Sequence, residues 1–385
     1  MKILLSFLQD SNLSSPHNIP AYRFWTYYIK NGIEEAGMQW FEIPGLDWAA
    51  GLIPLENTSE LNDWKEHSWE KTLKYIKTNR QNIDVFLSYL YPKQIEISAI
   101  EEIRRLGIPC INFYCDHIRQ YIKLPDEFKV FDLMWVPEFE AISLYEKAKI
   151  DFINLPMPMW VSPKYRSVTL TETTNISFIG SKDYLREKLL SRVIGNGFDI
   201  EIRGDGWQRS EEKLSSSING KIFNKIHNQI KFIETFGIKH WIIKKVQGLE
   251  KKPNTISEQY LLEKPSFENY IKITQQSLIT LGINRVPSFQ RLNNNPLIYS
   301  RLRDIEAPML GACYITEYNE GLTKLYELGR EIETYKTVDE LIVKCTELKN
   351  SNALRNKLRI GGQKRALESH TISHSLEKIK NRLFK

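Results

Sequence analysis

The chain has 385 residues, 42% apolar and 26% charged, the balance of a folded chain large enough for two cores. Its formal net charge of +6 suits an anionic partner, without naming one, and equally a slightly basic but ordinary surface. No apolar run approaches the roughly 18 residues of a membrane span. The four cysteines (Cys110, Cys115, Cys313, Cys345) make no CxxC pair, which argues against a zinc site or a disulfide framework and for a reducing cytoplasm.

The opening "MKILLSFLQD" reads as a first strand, its apolar run being too short and its charge too low for a secretory leader. A helical stretch over 22–36 follows, capped by Gly37. Then come the strand "MQWFEI", a helix over 64–80 and the strand "IDVFLSYL". A helix ending "IRRLG", the strand "PCINFYC", the short run "LMWVP", the helix "EFEAISLYEKA" and the strand "DFINLP" complete the first half. Prolines and a Thr-rich polar run then break the pattern over 156–174.

The alternation restarts with "NISFIG", a helix over 183–194, "FDIEIRG", helices to about 276 and "SLITLG". A helix over 297–310, "ACYIT", "EIETY" and the final helices close it. Strands alternating with helices predict parallel sheets covered on both faces. The expected architecture is α/β, two Rossmann-like domains with parallel sheets facing across a cleft. Their expected bounds are 1–160 and 175–365, with a linker over 161–174 and a helix over 366–385 returning to the first domain. Ligands of such sheets sit outside the carboxyl ends of the strands.

Residues 221–252 carry eight Lys against two Glu, interleaved with Phe, Ile and Trp. Two readings stay open: a basic amphipathic segment lying on an anionic membrane, or a helix pair with a solvated lysine face.

Several familiar sites are missing. There is no GxGxxG after the first strand, no GxxxxGK[ST], no GxSxG and no HExxH. No Asp-x-Asp occurs, so the usual clamp for a metal-bound nucleotide sugar is lacking, and neither a metal nor a cofactor is expected. Two features remain. "NISFIGSKDYLREKLL" is a strand that stops at Gly180 and opens a helix, a turn that suits an anion, with Lys182 and Arg186 nearby; such junctions are also common as plain structure. Glu306 falls on the apolar face of the 297–310 helix, among Ile298, Leu302, Ile305, Met309 and Leu310. A buried carboxylate needs a ligand or an Arg beside it.

The stretch "NISFIGSKDYLREKLLSRVIGNGFDIEIRGDGW" resembles the opening of the second domain in the CgeB-like family of GT-B glycosyltransferases. "RLRDIEAPMLGACYITEYNEGLTKLYELGREIETYKTVDELIVKCTELKNSNALRNKLRIGGQKRALESHT" is similar to that family's C-terminal signature. "IRRLGIPCINFYCDHIRQY" and "FDLMWVPEFEAISLYEKAKIDFINLPMP" run parallel to it in order and spacing, so the likeness covers about two-thirds of the chain.

The resemblance implies transfer of a sugar from a nucleotide-sugar donor to a glycan, lipid-linked or protein acceptor, with no metal and no nucleic acid. Glu306 matches the acid that grips the ribose hydroxyls. Arg303 also matches, as a ligand or as a structural partner. Gly180, Ser181, Lys182, Arg186, Arg285 and Ser300, with the loop carrying Ser288 and Asn293–Asn295, are the expected donor-binding groups. Asp116, with His117 beside it, is the first candidate for the base, and Asp10 and His17 the second; Asp116 also reads as a helix N-cap. Ile298 occupies the position where many retaining relatives carry a second acid. Two alternatives stay open: a non-catalytic nucleotide-sugar or glycan-binding assembly protein, and a nucleotide-sugar epimerase. The expected location is the cytoplasm, with peripheral membrane contact through 221–252.

Overall fold

A computed structural model of the chain describes residues 1–7, 21–52, 58–116, 118–121, 123–169, 171–172, 174–208, 229–230, 232–233, 237–247, 255–286, 296–299 and 301–384. The chain divides into two compact units, one of residues 1–119, 123–160 and 369–385, the other of 120–122 and 161–368.

The N-terminal unit holds a six-stranded sheet in the order β2-β1-β3-β4-β5-β6. Its strands are β1 (Lys2–Ser6), β2 (Gln39–Phe41), β3 (Val85–Ser88), β4 (Cys110–Phe113), β5 (Leu133–Val136) and β6 (Phe152–Asn154). Every pairing is parallel. β3, β4 and β5 are buried at every position, as strands covered on both faces must be. Helix α3 (Ile97–Arg105) turns Ala99, Ile100 and Ile103 inward at helical spacing. The chain's last helix, α12 (Ile372–Leu383), packs in this unit against α1 (Ala21–Glu35). The approach is so close that a Cβ on Gly32 would lie 2.6 Å from Ile372.

The C-terminal unit repeats the plan in the order β14-β13-β10-β7-β8-β9, all parallel. These strands are β7 (Thr174–Ile179), β8 (Ile200–Arg203), β9 (Leu261–Leu262), β10 (Ser277–Leu281), β13 (Tyr314–Glu317) and β14 (Glu333–Tyr335). Chain order reverses between β7 and β10, so the switch point that receives ligands lies beside the end of β7. Helix α5 (Tyr184–Gly195) starts where the Asp183 carboxylate accepts the Leu185 and Arg186 amides. It buries Leu185, Leu189, Leu190 and Val193 against the sheet.

Two expectations are corrected here. The span before 276 contains β9, a strand of two residues and too short to stand out as a periodic run. The helix expected over 297–310 is only α8 (Arg303–Met309). Leu297–Ile298 is instead the strand β12, whose Ile298 pairs antiparallel with Arg285 of β11 (Arg285–Val286), because the backbone groups of a β-branched residue find their partners across a hairpin rather than along a helix. Pro308 sits inside α8 and supplies no N–H for the Asp304 carbonyl. The Tyr326 hydroxyl donates to that carbonyl instead, at 2.8 Å. The Asp304 side chain accepts from Asn284 Nδ2, Tyr314 Oη and the Arg301 amide, while burial pushes its carboxyl up to about 6.

Helix α11 (Asn352–Ser369) carries Arg359, which is fully buried. Its Nη1 donates to the Gln275 carbonyl at 2.7 Å and the Gly311 carbonyl at 3.3 Å; Nη2 donates to the Ser277 carbonyl and, at 3.2 Å, to Glu172. Arg355, one turn earlier, holds Glu172 bidentately at 2.6 and 2.7 Å. One guanidinium thus satisfies carbonyls at the start of β10 and at the turn before β13. Arg359→Met strips these carbonyls of their donor while keeping much of the volume, and breaking such a buried charged network costs about 3–5 kcal/mol. A markedly lower urea midpoint in equilibrium unfolding is the expected outcome; an unchanged midpoint contradicts this account.

Candidate active site

The carboxyl ends of three neighbouring strands wall a cleft of about 270 Å³ in the C-terminal unit. β7 contributes Ile179 and then Gly180–Ser181, β8 leads into Gly204–Asp205, and β9 into Lys264–Pro265. The turns are locked together. The Gly180 amide donates to the Arg203 carbonyl at 2.8 Å, the Trp207 indole to the Gly180 carbonyl at 2.7 Å, and the Lys182 amide to the Asp205 carbonyl at 2.8 Å. Gly204 has φ +134°, and a Cβ there would sit 2.4 Å from the Gly180 oxygen, so only glycine lets these turns approach so closely.

The far side of the cleft is Tyr270, on α7 (Phe267–Gln276), and Arg303, the first residue of α8. Arg303 Nη1 donates to the Ile179 carbonyl, and its guanidinium lies 5.5 Å from the centre of the Tyr270 ring. Behind them is Glu306, only 6% exposed, whose Oε2 accepts the Tyr270 hydroxyl. Burial, with the Glu306 charge, pushes the Tyr270 phenol well above its usual value, so it stays a donor. Burial works against the Arg303 charge, but Tyr270, Tyr314 and Glu306 outweigh it and hold the guanidinium above its usual pKa. Gly180, Ser181 and Arg303 therefore meet at one cleft, and Glu306 is joined to its wall through Tyr270.

The other expected donor-binding residues are engaged with neighbours. Lys182 pairs with Glu187 at 2.8 Å and lies over the Trp207 ring. It lines a second cavity of about 360 Å³ with Glu187 and Trp207. Arg186 Nη1 donates to the Ser181 carbonyl and hydroxyl at 2.9 and 3.0 Å, so it shapes the turn after β7. Burial lowers its pKa; Asp183 opposes the shift, while the positive charges of Arg301 and Arg303 add to it. Three guanidiniums thus share this end of the sheet. Arg285 gives Nε and Nη2 to Glu317, which is 1% exposed. Burial raises the Glu317 pKa against the pull of Arg285. Ser300, Ser288 and Asn293–Asn295 lie outside the described residues.

In the N-terminal unit, Asp116 follows β4. Its Oδ2 accepts the Tyr89 hydroxyl at 2.9 Å and the Tyr91 hydroxyl as well. The two phenols also touch each other at 3.0 Å and stack with ring centres 5.4 Å apart. Burial raises both phenol pKa values, with Asp116 adding to it. The partners of Asp116 are thus side chains from the end of β3, and the group sits at the carboxyl edge of that unit's sheet. His117, Asp10 and His17 lie outside the described residues.

Sequence reasoning missed Tyr270, Asp205, Lys264, Tyr89 and Tyr91. The one available signal was position: Tyr89 and Tyr91 follow a strand, and Asp205 and Lys264 stand just past two more.

A family model described as glycosyl transferase-like matches residues 185–381. The whole chain superposes on a glycosyltransferase from Rickettsia africae, with 12% identity, 98% of that chain covered and a TM-score of 0.56. Sucrose-phosphate synthase from Thermosynechococcus elongatus gives 11%, 98% and 0.55 over the whole chain. Anabaena HepE, solved with UDP and glucose, gives 11%, 99% and 0.55, also over the whole chain. At these identities the likeness is one of fold, the GT-B fold of two Rossmann-like domains. No curated protein sequence matches the chain. The family match spans just over half of the residues and takes in Arg186, Arg303 and Glu306, and the chain accordingly belongs to this glycosyl transferase-like family, as a glycosyltransferase of the GT-B fold.

Proposed function

We propose that the C-terminal cleft binds the nucleotide diphosphate of a nucleotide-sugar donor, and that the chain falls in the CgeB-like branch of its family. The observation that carries this reading is the meeting of the Gly180–Ser181 turn with Arg303, Tyr270 and Glu306 at the switch point of one parallel sheet. Glu306 exchanges its Tyr270 bond for the ribose hydroxyls, a carboxylate being able to accept from two at once. The diphosphate lies toward the Ser181 amide and the cluster of Arg186, Arg301 and Arg303. These groups stabilise the negative charge that grows on the leaving diphosphate, and no metal takes part in this scheme.

Asp116 is the proposed base. The acceptor hydroxyl must lose its proton as it attacks the anomeric carbon. A carboxylate whose Oδ2 is fixed by two phenols keeps its orientation and presents Oδ1 to that proton. The acceptor is proposed to be a glycan, a lipid-linked sugar or a protein.

A membrane contact has its own support. No described helix is long and apolar enough to cross a membrane. Helix α6 (Ile238–Gln247) nevertheless leaves Ile238, Ile242 and Val246 about half exposed, one per turn, with Lys239, Lys244 and Lys245 interleaved. An apolar stripe among lysines is chemically matched to an anionic bilayer surface.

Glu306→Gln keeps an acceptor for Tyr270 but removes the charge. Titration calorimetry is expected to show nucleotide binding weakened by about 1.5–3 kcal/mol, the range for a hydrogen bond to a charged group; unchanged affinity would sink the ribose assignment. Asp116→Asn is expected to leave that affinity alone and to lower turnover roughly 100-fold, whereas full activity removes Asp116 as the base. Ile242→Asp is expected to abolish flotation with phosphatidylserine vesicles at low salt. Equal flotation of both proteins, or none by the parent chain, argues against the membrane contact.

A further inference from the structure

The proposed donor cleft has a rim that its phosphate and ribose contacts do not use. Asp205, just past β8, and Lys264, just past β9, pair across it, with Lys264 Nζ at 3.0 Å from Oδ1 and 2.9 Å from Oδ2 of Asp205. Both side chains are well exposed, 72% for Asp205 and 62% for Lys264, so both reach a ligand in the cleft. The Asp205 backbone is also held in place. The Asp205 carbonyl accepts the Lys182 amide, and the preceding glycine is pressed against the Gly180 oxygen. The ammonium bridges both oxygens, so a base edge that displaces it finds two acceptor oxygens side by side, with a donor left on the same rim.

Resting on the donor reading above, we infer that the Asp205–Lys264 pair reads the nucleobase and selects guanine. The edge of guanine presents a ring N–H and an amino N–H side by side, with a carbonyl oxygen next to them. The two N–H groups match the two carboxylate oxygens as a bidentate, charge-assisted pair, and the carbonyl meets the ammonium. Uracil and thymine present one N–H between two carbonyls, so one carboxylate oxygen gains a donor while the other faces a carbonyl. Adenine and cytosine place a ring lone pair beside their amino group, with the same mismatch. Selection then comes from repulsion against the wrong bases as much as from attraction to the right one.

The test is titration calorimetry of the full chain with GDP, UDP, ADP and CDP, repeated on Asp205→Asn. A carboxamide offers one acceptor and one donor, which suits the N–H and carbonyl of uracil. GDP is expected to bind at least about tenfold more tightly than the others, in the range a bidentate base contact supplies. Asp205→Asn is expected to weaken GDP about tenfold while leaving UDP as tight or tighter. UDP or another diphosphate bound at least as tightly as GDP, and weakened by Glu306→Gln, overturns guanine selection and keeps the donor cleft. An equal loss for GDP and UDP in Asp205→Asn also overturns it. Binding of none of the four overturns the donor reading and this one with it.

Discussion

Glu306 is a charge placed where water scarcely reaches, and the arrangement of the C-terminal cleft follows from that. An isolated carboxylate in such a place would be far too costly. The chain meets the cost with a phenol from α7 and a guanidinium from the start of α8, and both partners then become the wall of the cleft. Because Arg303 also donates to the last carbonyl of β7, the buried acid fixes how the two helix starts sit on the strand end. A group that looks like a flaw in a hydrophobic helix thus organises a site.

The same unit handles its other charges by a different rule. Arg359 is fully buried among carbonyls and Glu172, so its duty is structural. Arg285 is likewise taken up by Glu317. The cations at the end of β7 differ from both. Arg186 keeps its bonds to the local turn while feeling the charge of Arg301 and Arg303. Asp183 and Glu306 offset part of that positive charge, and an incoming anion would add to their effect. That contrast separates the framework arginines from the ones a diphosphate would meet.

Strand topology explains why these groups meet at all. Gly180, Gly204 and Lys264 are far apart in sequence, yet they follow strands that are adjacent in the sheet. Each turn emerges on the same edge because the strands are parallel. The tight turn at Gly204 then brings the β8 end against Gly180, which a side chain on Gly204 would prevent. In the N-terminal unit the same logic joins Tyr89 and Tyr91, past β3, to Asp116, past the neighbouring β4.

The sequence by itself determined the two parallel α/β sets, the Gly180 turn and the peculiarity of Glu306, because strand length, helix caps and apolar periodicity are local and repeat within a few residues. It misjudged 297–310, where the backbone partner of Ile298 is Arg285, thirteen positions earlier and across a hairpin. Only the tertiary structure decided that Tyr270 holds Glu306, that two tyrosines hold Asp116, and that Arg285 belongs to Glu317. The Asp205–Lys264 pair spans 59 positions and is made by strand order alone. Side-chain partners of this kind depend on which strand ends lie side by side, and no pattern within a single segment records that.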